Sequence, residues 1–563
     1  MFAETTAGFL TTAALAAVVF GASPGTVQAQ QIDGSAIDAV FADIEGVMPG
    51  CAVGVVQNQE LAYANGFGMA NLDYNLPITP TSNFYLGSVG KQFTAAAIAH
   101  AVRAGHLSLD DPIQKWLPQI PEYERTITIR NLIHHTSGIR DYLGLWNLSG
   151  KRLEDVHSIE ETLELIARQR NANFAAGDEY LYSNSGYFLL SEIIERATDM
   201  SLREYMQQHF LGPLGMGRSR FNDDRLEVMD QRVVGYQATE DGYQVSHPWN
   251  FDKVGSGGMY SSIEDLADWD RNYYTEEVGG PGFTDQLVQR GVLTNGTVLP
   301  YAFGLTHGEY RGLKTIGHGG SLAGFRSMLL RFPDQETTVL VLCSYPTANP
   351  GMRAQRVADV VLTSQLAPVE AAEGATVDAT PTPTVELTTE QLEAFVGHWR
   401  ASMGIEVEIV REGDQLIFIQ SGNRVPLVTA ASDRLLIPVA NIDIRTTDLV
   451  DGRFQAMAVT QNGQAFTADR FVPSAAPASY SDLYGSYYSG ELDVTYSIFE
   501  EDGQPMMEIT PSRRGELRRV AEDRFVGPGM TISIDRQADG VIGFTIDAGR
   551  VRGIYFQRMD QLN

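Results

Sequence analysis

Ser88 and Lys91 are the residues whose types and spacing most directly allow chemistry. They lie in Leu86-Gly87-Ser88-Val89-Gly90-Lys91-Gln92-Phe93-Thr94, where the strand-like Asn83 to Leu86 runs into an Ala-rich helical run that stops near Gly105. Residues three apart on a helix share a face, so the hydroxyl and the amine can meet. A serine hydroxyl becomes a nucleophile when a base takes its proton, and a lysine desolvated at the foot of a cleft is neutral enough to be that base. The helix N-terminus adds a favourable field and a free backbone N–H for an oxyanion. Lysine occurs only at Lys91, Lys115, Lys151, Lys253 and Lys314, and nothing before Lys91 is basic. A chain that otherwise uses arginine thus keeps at this position the amine that can change protonation state.

Such a pair needs a second proton-transfer group, which protonates the leaving atom and later activates water. Tyr182-Ser183-Asn184 supplies one, in a polar loop between Gly177-Asp178 and a helix expected to start near Gly186. Beside a Lys91 ammonium the Tyr182 phenol would ionise more readily than a free one, and Asn184 could hydrogen-bond a substrate carbonyl. Gly317-His318-Gly319-Gly320-Ser321, expected to end a strand, is the third element. Its paired glycines let a substrate backbone lie along a strand edge, a backbone N–H there can complete an oxyanion hole, and His318 can bind substrate or assist proton transfer.

These side chains must be positioned by elements far apart in the chain. Apolar residues at helical spacing predict a helix over Ile37 to Val47, followed by a hairpin of Cys51 to Val56 and Leu61 to Ala70. A mostly helical stretch covers Ile159 to Leu211, and strands return at Tyr301 to Glu309, Thr315 to Gly317, Phe325 to Arg331 and Thr338 to Tyr345 before a helix over Met352 to Gln365. Strands at both ends with helices between them imply one α+β domain whose sheet is assembled from its two termini. Beyond an Ala-, Pro-, Thr- and Glu-rich linker at 367–386, short strands and turns dominate. Phe395-Val396-Gly397-His398-Trp399 recurs as Leu483-Tyr484-Gly485-Ser486-Tyr487, and Asp433-Arg434-Leu435 as Asp523-Arg524-Phe525. A displacement of about ninety residues is that of a duplicated unit, so two small antiparallel barrels or sandwiches are expected at 387–473 and 479–563.

Ser88-x-x-Lys91, Tyr182-x-Asn184 and His318-Gly319-Gly320, in this order with a helical region between the first and third, resemble the serine β-lactamase and D,D-peptidase superfamily, in its class C and D-aminopeptidase branch. His135-Thr136-Ser137-Gly138, Gly257-Gly258-Met259-Tyr260-Ser261 and Gly324-Phe325 are similar to further stretches of that family. The resemblance covers about Ile37 to Gln365, in a domain expected over 30–366, and implies an antiparallel sheet flanked by helices plus an all-helical subdomain. It also implies that Ser88 is acylated, that Lys91 and Tyr182 share the base and acid roles, and that Asn184 orients substrate. The N–H groups of Ser88 and Ser321 would form the oxyanion hole, with His318, Gly319 and Gly320 binding substrate. The later modules resemble the paired eight-stranded antiparallel barrels of the D-aminopeptidase branch, which would narrow the cleft or hold a homodimer.

One departure shifts the expected substrate. The family's usual third motif is Lys-Thr-Gly, whose cation pairs with a carboxylate, whereas a mostly neutral imidazole holds an anion less firmly. The expectation is therefore a hydrolase releasing N-terminal D-amino acids from small peptides or amides, before an esterase, a weak β-lactamase or a D,D-peptidase. A catalytically silent sensor of peptidoglycan fragments is the non-enzymatic alternative. No cofactor or metal is expected, since His134 and His135 are adjacent rather than one helical turn apart.

A net charge of -29 disfavours nucleic acid and anionic membrane as partners. The apolar run from Gly8 to Ala22, the break at Pro24-Gly25 and Val27-Gln28-Ala29 read as a secretory leader over 1–29, too short for a membrane span, although Met1 to Thr6 carries only Glu4 as a charge. A periplasmic or secreted protein follows. Cys51 and Cys343 lie in apolar strand-like runs and read as buried free thiols, with a disulfide only if those strands are neighbours. Pro511-Ser512-Arg513-Arg514-Gly515-Glu516 reads as a solvated loop rather than one reaching the site.

Overall fold

Two runs of consecutive apolar residues, at opposite ends of the first domain, have the length and β-branched content of strands buried on both faces. The computed structural model, which describes residues 32–368, 385–401, 406–420, 423–437, 442–461, 464–472, 479–538 and 540–561, pairs them directly. Strands β1 (Cys51–Gln57), β2 (Glu60–Phe67), β3 (Thr306–Tyr310), β4 (Leu313–Leu322), β5 (Phe325–Phe332) and β6 (Thr337–Cys343) form one antiparallel sheet in the order β3-β4-β5-β6-β1-β2. Along β6, Val339, Val341 and Cys343 face one apolar layer while Leu340 and Leu342 face the other, the period of two a strand imposes. The first layer is covered by α1 (Gly34–Ala39) and α6 (Pro350–Val361), the second by α5 (Ile263–Thr275), whose Trp269 meets Phe93 and Gln92 of α2 (Lys91–Arg103). Between α2 and α5 the chain adds α3 (Tyr142–Leu148) and α4 (Asn184–Thr198) as the helical subdomain, in which α4 packs on α2 and α3 packs on α4.

Several expectations change. The first helix covers Gly34–Ala39, because Asp33 caps it by accepting from Ser35 N and Ala36 N; Phe41 still reaches the core, from a turn. Cys51 stands opposite Cys343 in the β1–β6 register, and the two form a disulfide, so the reading of free thiols is overturned. Local pattern shows that each strand is buried but not that the two are neighbours. The leader at 1–29, the linker from 369 to 384 and the break at 473–478 between the modules lie outside the described residues.

Each C-terminal module is one antiparallel ladder of nine strands, and in both the two end strands follow one another in the chain. Asn423–Pro426 and Val428–Ala431 are separated by Leu427 alone, as Arg513–Glu516 and Arg518–Ala521 are by Leu517. Each pair is one strand bent at a buried leucine, so the ladder curls into a nearly closed barrel. The duplication reaches single contacts. Trp399 Nε1 donates to Phe395 O and Tyr487 Oη to Leu483 O. Arg470 donates to Ala394 O and Val396 O, and Arg558 to Asp482 O and Tyr484 O. The first barrel has its own core, whereas the apolar residues of the second join that of the first domain. The joint is polar as well: Arg140, 1% exposed, pairs at 2.8 Å with Glu491, 8% exposed, and Tyr496 Oη donates to Leu148 O.

Candidate active site

Ser88 lies in a 3-10 turn, Gly87–Gly90, that runs without a break into α2, so the serine stands at the mouth of the helix and Lys91 at its first position. The turn presses against β4 at two glycines. A Cβ on Gly87, whose φ is +56°, would sit 2.7 Å from Ser321 N, and one on Gly320 would sit 2.0 Å from Leu86 O. Glycine at both positions brings the Ser321 amide beside the serine turn. The third motif lies inside β4 rather than ending a strand. Strand β3 pairs with β4 only as far as Gly317, so on that side His318 to Leu322 have no strand partner and present an edge to the cleft.

Lys91 is fully buried, and no carboxylate lies within ion-pair distance of it among the described residues. Its Nζ is 3.1 Å from Ser88 Oγ and 2.8 Å from Asn184 Oδ1, and it also reaches Ser256 O. Two of these partners are pure acceptors and the third is a hydroxyl, so an ammonium can donate to all three, and once it has lost a proton the amine can donate two hydrogens and receive the serine's through its lone pair. Burial pushes the amine well below the ordinary lysine range, with the Asp141 charge opposing and Arg550 assisting. Asp141 fixes this geometry. Its Oδ1 accepts from Leu143 N and Gly144 N and so caps α3, while its Oδ2 accepts from Asn184 N and Nδ2 and leaves Asn184 Oδ1 turned to Lys91. Asn184 is the first residue of α4, two positions earlier than its sequence suggests.

Tyr182 places its ring centre 4.8 Å from Lys91 Nζ. Its hydroxyl is buried and makes no well-formed hydrogen bond among the described residues. Burial raises the phenol above its usual range, with the Ser88 hydroxyl and then the Arg550 charge opposing. The expectation of a readily ionised phenol is thus corrected: burial makes the enclosed hydroxyl hold its proton more tightly, and the opposing Ser88 and Arg550 contributions do not offset it. His318 Nδ1 donates to Gly319 O, so in the neutral ring Nε2 accepts from Tyr301 Oη at 3.3 Å. Burial, then the Lys91 charge, lowers it to about 4, so it is a neutral ring near pH 7.

A cleft of about 610 Å³ opens over these groups, lined by Ser88, Tyr182, Asn184, His318, Gly319, Gly320 and Ser321 together, so all the sequence-identified residues except the Lys91 amine beneath the floor reach it. Sequence reasoning missed Asp141, Ser256 and Arg550. Asp141 follows the His135-Thr136-Ser137-Gly138 stretch closely but bears no local mark of its contact with Asn184. Arg550 comes from the hairpin tip between the last two strands of the second barrel. The stretch expected as a solvated loop at Pro511 to Glu516 does not line the cleft; Arg513–Glu516 is an end strand of the second barrel, and Arg513 donates to Asn147 on α3.

Among the described residues no group of His, Cys, Asp and Glu could hold a metal ion, and no helix is long and apolar enough to cross a membrane. Comparison with known proteins agrees with the architecture. A D-aminopeptidase of Cereibacter sphaeroides is 25% identical over 534 residues, covering 91% of this chain and 96% of that protein. A D-aminopeptidase of Gluconobacter oxydans is 25% identical over 553 residues, covering 93% and 98%. An octameric penicillin-binding protein homologue from Pyrococcus abyssi superposes with a TM-score of 0.55 at 23% identity, over 77% of this chain and 100% of that one, a likeness of fold. Residues 30–362 match the family model described as Beta-lactamase. That match takes in both ends of the sheet beneath the cleft and more than half of the sequence, and the chain therefore belongs to the beta-lactamase family.

Proposed function

We propose that this protein is a serine hydrolase that releases N-terminal D-amino acids from small peptides or amides through an acyl-enzyme on Ser88. The observation that carries the reading is Lys91 Nζ, buried, without a carboxylate partner and 3.1 Å from Ser88 Oγ. Lys91 takes the Ser88 proton as Oγ attacks the substrate carbonyl, and the amide groups of Ser88 and Ser321 receive the negative charge that forms on oxygen. Tyr182 Oη gives its proton to the leaving nitrogen and is reprotonated from Lys91, and the C–N bond breaks to leave acyl-Ser88. Water then attacks the ester with its proton passing to the same pair, Ser88 regains its own, and the acid is released. His318 to Ser321 bind the substrate backbone along the open edge of β4, and Asn184 keeps Lys91 in place while facing the cleft.

The D-aminopeptidase names of the two relatives support the N-terminal, D-specific form of this chemistry. An exported protein is supported by the leader read over 1–29 and by the Cys51–Cys343 bridge, which suits an oxidising compartment. The test is hydrolysis of D-alanine and L-alanine p-nitroanilides beside a short-chain p-nitrophenyl ester. D-Anilide turnover that exceeds L-anilide turnover and falls about a thousandfold or more in Ser88→Ala is expected. Turnover of the ester alone would replace the aminopeptidase by an esterase.

A further inference from the structure

The third motif brings no cation to the cleft, yet the cleft contains one. Arg550 lines it together with Ser88 and Tyr182, and no Asp or Glu is among the lining residues. The residue is anchored first at its backbone. Gly549 takes the positive φ of 59° that the two-residue hairpin tip needs, and Arg550 O accepts from Asn173 Nδ2 at 2.9 Å and from Asp141 N at 3.4 Å. Its guanidinium stands 4.7 Å from the centre of the Tyr182 ring and is 48% exposed. Its nearest carboxylate, Asp141 Oδ2 at 3.6 Å, already accepts two hydrogen bonds from Asn184, and Oδ1 accepts two more. The planar fork therefore has donors to spare on the cleft side.

We infer that Arg550 is the cleft's carboxylate receptor, and that the preferred substrates carry a free carboxylate on the residue whose nitrogen leaves, as in a D-aminoacyl dipeptide. The direction rests on the hydrolase reading above. The group that protonates the leaving nitrogen is Tyr182, so the leaving residue departs on the Tyr182 side, where Arg550 lies against the ring. A C-terminal carboxylate is two bonds from that nitrogen and can meet the fork in a bidentate pair. The second barrel thus supplies the cation that His318 does not, and does so on the leaving side. With no carboxylate in the lining to hold an α-ammonium, selection by charge acts on the leaving residue and not on the amine.

The test compares D-alanyl-glycine with D-alanyl-glycinamide, which differ only in that carboxylate, by calorimetric binding to Ser88→Ala and to Ser88→Ala combined with Arg550→Met or Arg550→Lys. Charged hydrogen bonds of this kind are worth about tenfold or more in affinity, so Ser88→Ala is expected to bind the acid at least about tenfold tighter than the amide. Arg550→Met should bring that ratio to about one, and Arg550→Lys should keep part of it, as a point charge without the fork does. Equal affinity for the two ligands, an unchanged ratio in Arg550→Met, or no measurable binding of the acid at about 10 mM would each overturn the inference. Circular dichroism of the variants shows whether the barrel remains folded, and the lysine variant retains the charge if the methionine variant does not fold. Failure of the hydrolase reading is seen separately, as absence of turnover by the Ser88 protein with the binding difference intact.

Discussion

In the proposed mechanism Lys91 is the base, a role its surroundings suit: a hydroxyl, an amide oxygen and a backbone carbonyl surround the amine, and the one nearby carboxylate, Asp141, is saturated by its own donors. Activity should therefore rise with pH as Lys91 loses its proton, in a limb of kcat/KM below the ordinary lysine range. His318, at about 4, titrates separately and is a neutral ring near pH 7. The same shift bears on stability. The unfolded chain keeps the Lys91 proton up to its ordinary value of 10.5, while the folded chain releases it at lower pH. Between those values the unfolded state binds more protons, so folding stability rises with pH across that window and is independent of Lys91 below it. Urea unfolding from about pH 7 to about pH 10 should show the parent gaining stability relative to Lys91→Met, and parallel curves would contradict a depressed amine. The pair itself was legible because a three-residue spacing on a helix is a local fact. The state of Tyr182 was not, since it depends on burial by residues remote in sequence, and Asp141 was invisible because its partner Asn184 is 43 positions away.

At the scale of elements, the cleft depends on how closely β4 meets the Ser88 turn. Gly320→Ala would drive a methyl group to 2.0 Å from Leu86 O, and backbone cannot yield as a side chain does. The turn must move away from the Ser321 amide, so kcat should fall by about two orders of magnitude or more, the scale of losing one oxyanion donor. Unchanged kcat in a folded Gly320→Ala would show that Ser321 N is not that donor. The Arg140–Glu491 pair does the same service for the barrel hairpin, since Arg140 also donates to Arg552 O and Gly553 O beside Arg550. Glu491→Ala leaves a buried guanidinium unpaired and should cost about 3–5 kcal/mol in denaturant unfolding. Strand and helix identities came readily from periods of two and 3.6, since each strand of the sheet is longer than the ambiguity at its ends. The extension of β4 through His318-Gly319-Gly320 was hidden, because glycines break strand patterns wherever they permit close approach.

In the whole molecule, sequence distance is bridged in three ways: by the β1–β6 pairing that closes the sheet, by the disulfide across it, and by a barrel that returns its last hairpin to the first domain's cleft. Replacing both Cys51 and Cys343 by serine should lower stability by about 2–4 kcal/mol without moving the cleft residues, read from urea midpoints with and without reductant on the parent. The duplication and the two-terminus sheet were legible as repeated motifs and repeated strand runs. Docking of the second barrel was not, because Arg550 differs in no local respect from the other arginines of a chain rich in them. The account as a whole rests on covalent chemistry at one atom. The most direct measurement is rapid acid quench of the protein with D-alanine p-nitrophenyl ester, followed by peptide mapping in the mass spectrometer. A D-alanyl group on the peptide that carries Ser88, absent in Ser88→Ala and in Lys91→Met, is the predicted result; turnover without that adduct, or with the acyl group on another residue, would contradict it.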